Sequence, residues 1–140
     1  MESTNDLLVG IVVVSHSKRI ADGVVELAAQ MAGPDVSLRP VGGAADGSLG
    51  TDPDGIAAAI RAADTGAGVV VIGDLGSAIL AAESAIEMLS PEQAARVKIS
   101  NAPIVEGAVV AAVQASIGQS LGEVLAAAES ARDLDKGVAR

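Results

Sequence analysis

Two side chains in this sequence have the right type and setting for covalent chemistry. His16 is the only histidine, and it stands just beyond the apolar run 7–14, between Ser15 and Ser17. Imidazole is a nucleophile near neutral pH because its neutral form is well populated there. The N–P bond of a phosphohistidine is labile, which suits a relay that must pass a phosphoryl group on. Asp74 ends a second apolar run, 68–72 followed by Gly73. A carboxylate that accepts a hydrogen bond from one ring nitrogen fixes the tautomer and leaves the other nitrogen free to attack. Ser15, Ser17, Thr51 and Ser77 carry hydroxyls that could donate to phosphoryl oxygens, as could backbone N–H groups at helix starts. Gly76, like Gly42 and Gly43, either lets backbone approach the phosphate or makes a tight turn. Lys18 and Arg19 meet the phosphate or an acidic partner, or simply face solvent at a helix start. Each residue also has a plainer role: His16 as a local hydrogen-bonding group, Asp74 as the N-cap of the following helix, and the hydroxyls as caps or turns.

Other chemistries lack their parts. No G-x-G-x-x-G and no P-loop is present, so nucleotide binding in those modes is unsupported. One histidine and no cysteine leave no convincing zinc site. A serine–histidine–acid triad can be written from the residues, but there is no G-x-S-x-G elbow. A phosphoaspartyl receiver domain would place an acidic cluster after the first strand, where Ser15-His16-Ser17 stands.

The elements that must position these residues are legible. The β-branched runs 7–14 and 68–72 read as strands buried on both faces. Val36 to Val41 and Val97 to Ile99 are shorter strands. Ile20, Val24, Leu27, Ala28 and Met31 recur at helical spacing, and Gly33-Pro34 ends that helix. Asp52-Pro53 is an N-cap followed by proline at the first helical position. Ile79, Ala82, Ile86 and Leu89 mark a third helix, and Ser90-Pro91-Glu92-Gln93 a capping box opening a short one. Val105, Val109, Val113 and Ile117 share a helix face, and Ser120-Leu121-Gly122-Glu123 is another capping box. The order βαβαβα(α)βαα with right-handed crossovers gives an α/β fold: a doubly wound, mainly parallel four-stranded sheet with helices on both faces. Ligands bind such sheets beyond the carboxyl ends of the strands. His16 and Asp74 both stand there. We expect a flexible N-terminus at 1–6, one domain at 7–134 and a flexible tail at 135–140.

Composition narrows the function further. The 140 residues are 50% hydrophobic, with no Phe, Tyr or Trp and a formal net charge of −9. Aromatic stacking on bases is excluded, and there is no basic field for nucleic acid or anionic lipid. The run 7–14 is too short to span a bilayer and lacks the basic flank of a signal peptide. Disulfide and thiolate chemistry are excluded, which fits a reducing compartment. We expect a cytoplasmic protein with no nucleic-acid or membrane partner.

Four segments in order resemble a known family: Val12 to Ser17, Gly50-Thr51-Asp52, Gly73 to Ala78, and Asn101 to Gly107. They resemble the DhaM family, the phosphotransferase subunits of phosphoenolpyruvate-dependent dihydroxyacetone kinase. The N-terminal domain of that family is similar to the EIIA domain of mannose-type phosphotransferase systems. The similarity runs from about Leu7 to Leu134. It implies that His16 is the phosphorylated histidine and that Asp74 matches the supporting acid. It implies phospho-HPr as donor and, as acceptor, ADP held with magnesium on a DhaL-type subunit. A DhaK-type subunit then acts downstream on dihydroxyacetone. The resemblance further implies that phosphoenolpyruvate is the ultimate donor, that this chain binds no cofactor and that the protein is a homodimer. Some family members continue into HPr-like and enzyme I-like domains, and a chain ending after the first domain should depend on separate HPr. Two other readings stand beside this one: a mannose-type EIIA domain of sugar import, and a regulatory domain whose phosphorylation only switches binding.

Overall fold

The computed structural model describes residues 7–139. The expected flexible N-terminus, 1–6, lies outside them. The elements are β1 (Gly10–Ser15), α1 (Lys18–Ala32), β2 (Leu38–Gly42), α2 (Pro53–Ala63), β3 (Val69–Gly73), α3 (Gly76–Ile86), α4 (Pro91–Ala94), β4 (Val97–Ser100), α5 (Ile104–Ser116) and α6 (Leu121–Ser130). A 3-10 turn at Ala131–Asp133 follows, and residues 134–139 are exposed without regular structure. The four strands are all parallel, in the order β2-β1-β3-β4. The two β-branched runs therefore occupy the centre. Pro40, which cannot donate to a ladder, sits on the edge strand β2.

Strand alternation sorts the core into two layers. Ile11, Val13, Val70 and Ile72 face α1, α5 and α6. Val12, Val14, Val69 and Val71 face α2 and α3, packing on Ile56, Ile60 and Ala82. Ile56 and Ile60 are fully buried. Truncating either to alanine would cost about 2–5 kcal/mol through lost transfer energy and the cavity left behind.

Local signals hold the helices in place. Asp52 accepts from the Gly55 N–H, and Pro53 opens α2. Ser120 and Glu123 form the reciprocal capping box of α6. Ser90 accepts from the Gln93 N–H, the half of its box that is made. The aliphatic stripes of α1 and α5 depart in part from what their periodicity suggests. On α5 the buried residues are Gly107, Ala108, Ala111, Ala112 and Ala115, while Val105 and Ile117 are exposed. On α1 they are Ala21, Val24 and Ala28, while Ile20, Leu27 and Met31 are exposed. A helix lying close on a β-branched sheet has room for alanine beneath it, so the larger side chains fall on its flanks and outer face.

Candidate functional site

Chain order fixes where the site lies. From β1 the chain crosses to β2 on one side, and from β3 to β4 on the other. The loops after β1 and β3 therefore part at the topological switch point, where doubly wound sheets form their crevice. The first carries His16 and the second Asp74. The side chains meet: His16 Nδ1 is 2.9 Å from Asp74 Oδ1.

Asp74 is the hub of the cluster. Its Oδ1 accepts from His16 Nδ1 and, at 2.8 Å, from the Leu75 N–H. Its Oδ2 accepts from the His16 N–H at 3.0 Å and the Ser15 hydroxyl at 2.8 Å. Burial pushes the carboxyl up, but the His16 N–H, the Ser15 hydroxyl and the His16 ring together outweigh it. Asp74 thus titrates below the ordinary carboxylate value and stays ionised. An ionised carboxylate only accepts, so His16 Nδ1 carries the proton. In the neutral ring Nε2 then has the free lone pair, and the Ser77 hydroxyl is its hydrogen-bond partner. The His16 side chain is 26% exposed, reachable from solvent but held on both nitrogens.

The remaining residues separate by role. Ser77 lies exposed in the first turn of α3, whose N-cap position, Leu75, provides no side-chain cap. The Gly76 and Ser77 N–H groups have no partner among the described residues, so this helix start can receive an anion. Asp74 is therefore not the N-cap of α3. Ser17 is the N-cap of α1, its hydroxyl accepting from the Ile20 N–H at 3.3 Å. Ser15 is turned inward and holds Asp74, so its proton is not free for a phosphoryl oxygen. The loop before α2 reaches the site through backbone: the Gly50 N–H donates to the His16 carbonyl at 3.0 Å. Thr51 follows, partly buried, and no hydrogen bond joins its hydroxyl to the His16 cluster. Lys18 pairs with Asp22 one turn along α1.

The glycines also separate. A Cβ on Gly42 would lie 2.4 Å from Lys18 Cα and 2.6 Å from the Ser17 carbonyl oxygen. Its close approach is to the start of α1, not to a phosphate. A Cβ on Gly76 would meet open space.

Ser77, His16 and Asp74 form a line that resembles a hydrolase triad. The backbone argues against that chemistry. A nucleophile elbow holds its serine in a strained turn between strand and helix. Ser77 instead lies inside the first turn of an ordinary helix, and no non-glycine residue among those described has positive φ. What the arrangement does offer is a ring nitrogen with a fixed lone pair, beside a hydroxyl and free N–H groups.

The profile of the EIIA-man family, described as the PTS system fructose IIA component, matches residues 10–125. The phosphoryl donor subunit DhaM of PEP-dependent dihydroxyacetone kinase 2 from Listeria innocua is 40% identical over 118 residues, covering 84% of this chain and 94% of its own length. The corresponding DhaM subunit from Providencia stuartii is 37% identical over 135 residues, covering 89% of this chain. This chain spans only 27% of that longer relative. A crystal structure of a protein of unknown function superposes with a TM-score of 0.82 at 39% identity, covering 94% of this chain and 99% of the other.

Proposed function

The chain belongs to the EIIA-man family and, within it, to the DhaM-type subunits, and from that premise we propose that His16 Nε2 is the atom that carries the phosphoryl group. The observation that supports this most is the 2.9 Å contact between His16 Nδ1 and Asp74 Oδ1. It uses up one ring nitrogen and leaves the other at the Ser77 hydroxyl, in the first turn of α3.

In the proposed reaction the N–P bond of a donor phosphohistidine breaks as a bond from His16 Nε2 to phosphorus forms. The donor ring departs neutral. The His16 ring keeps its Nδ1 proton and becomes a phosphorylated imidazolium, whose positive charge lies against Asp74. The Ser77 hydroxyl turns from Nε2 to a phosphoryl oxygen, and the Gly76 and Ser77 N–H groups take the others. In the second half the Nε2–P bond breaks as the terminal phosphate of ADP attacks, which gives ATP and returns His16 to its starting form. No proton leaves the ring in either direction.

We take the donor to be phospho-HPr, as the family resemblance implies, and the PEP-dependence in the names of the DhaM relatives supports phosphoenolpyruvate as the ultimate source. The acceptor is ADP, held with magnesium on a DhaL-type subunit that serves a DhaK-type subunit bearing dihydroxyacetone. The working form is a homodimer in the cytoplasm, and a monomer in light scattering at high micromolar concentration would contradict the dimer. Among the described residues no helix is long and apolar enough to cross a membrane. The pathway is tested by charging the protein with enzyme I, HPr and phosphoenolpyruvate, then adding a DhaL-type subunit loaded with ADP. ATP formation supports the reading. A charged protein that makes no ATP there but phosphorylates a sugar-transporter IIB domain overturns it in favour of sugar import. A charged protein that donates to neither is left with a regulatory role.

A further inference from the structure

We propose that Ser15 is a positioning residue for phosphoryl transfer, its hydroxyl fixing the Asp74 carboxylate that in turn orients His16. This rests on the phosphohistidine reading above. The placement begins with strand register. Gly10 pairs with Val69 and Val14 with Gly73, so the next step of the same register sets Ser15 beside Asp74. The Asp74 N–H extends the ladder by donating to the Val14 carbonyl at 3.1 Å. Neighbouring residues in parallel register point to the same face of a sheet. The two side chains therefore meet, with Ser15 Oγ 2.8 Å from Asp74 Oδ2.

The direction of that bond follows from counting. A hydroxyl has one proton to give. Ser15 Oγ accepts from the Ser17 N–H at 3.0 Å, and its proton goes to Oδ2, its one acceptor among the described residues. The residue is buried, with 1% of its surface exposed. Oδ2 is thus held from two sides, by the Ser15 hydroxyl and the His16 N–H, which stops the carboxylate from rotating. That leaves Oδ1 aimed at Nδ1. Among the described residues, His16 is the only ionisable side chain in contact with Asp74, so loss of the Ser15 donor has no other charge to compensate it.

A purely structural role, holding the Ser17 N–H at the start of α1, makes a different forecast. It would lower stability and slow transfer whether or not Asp74 is present. The test is single-turnover uptake from phospho-HPr by wild type, Ser15→Ala, Asp74→Asn and the double variant, with a carbon NMR titration of the Asp74 carboxyl. We expect Ser15→Ala to slow uptake about tenfold in the wild-type background, the scale of one lost hydrogen bond to a charged group. In the Asp74→Asn background it should slow uptake less than twofold, and in the protein that keeps Asp74 it should move the Asp74 titration upward. Equal slowing in both backgrounds, or an unmoved Asp74 titration, overturns the proposal. Should Ser15→Ala not fold, Ser15→Cys keeps the size but donates weakly, and carries the same readouts. If wild type takes up no phosphoryl group, the phosphohistidine reading fails. The carboxyl titration then still decides whether Ser15 holds Asp74.

Discussion

Asp74→Asn removes the charge on the supporting group while keeping its shape. The structure shows why this cannot be a silent change. Each carboxylate oxygen accepts from a backbone N–H, Leu75 on one side and His16 on the other. An amide has one oxygen, so whichever way it turns, one of these N–H groups faces an NH₂. If the NH₂ faces the ring it donates to Nδ1, the proton moves to Nε2, and the nucleophilic lone pair is lost. If it turns the other way the tautomer survives, but the imidazolium of the phosphorylated state has no counter-charge. Unit charges 2.9 Å apart interact by about 6 kcal/mol at an effective dielectric of 20. Partial exposure of both side chains, 26% for His16 and 14% for Asp74, screens that to about 3 kcal/mol. At about 1.4 kcal/mol per factor of ten, uptake should fall about 100-fold. Rapid-quench measurement of labelled phosphoryl uptake from phospho-HPr reads this directly, with circular dichroism to confirm the fold. A folded Asp74→Asn protein whose uptake is within threefold of wild type would refute the assigned role.

Two further outcomes follow from the same contacts. Gly42→Ala drives a methyl group into the Ser17–Lys18 backbone, so it should cost about 1–3 kcal/mol in denaturant unfolding and slow uptake by displacing His16. Because Asp74 titrates below its unfolded value, the stability it contributes is present above the unfolded pKa and lost as pH falls through the folded one. The stability gap between wild type and Asp74→Asn should therefore be full at neutral pH and close as the pH falls below about 4, measured by urea unfolding across that range.

The strands and caps were legible because they rest on local chemistry. The β-branched runs became β1 and β3, shifted by one to three residues at their ends, and Asp52-Pro53 and the Ser120 box begin helices as expected. The meeting of His16 and Asp74 was legible because two strand ends on one edge of a parallel sheet need only be neighbours. The helix faces were legible in part: Ile56, Ile60 and Ala63 on α2 and Val124 and Ala128 on α6 are buried as their spacing suggests, but α5 differs. Periodicity marks Val105, Val109, Val113 and Ile117, yet alanine sits beneath α5, because distance between layers decides which side chains fit and sequence carries no distance. The three serines were also beyond sequence. Ser15, Ser17 and Ser77 are alike in type and proximity to the site, but they became a buried carboxylate partner, a helix cap and a partner of Nε2. Only register and helix phase tell them apart.

The central claim is that the phosphoryl group resides on His16. The most direct measurement is uptake of label from phospho-HPr by wild type and by His16→Gln, a variant close in size that lacks a nucleophilic ring nitrogen. Wild type should take up acid-labile, base-stable label, and folded His16→Gln should take up none. Equal labelling of the two proteins would contradict the account.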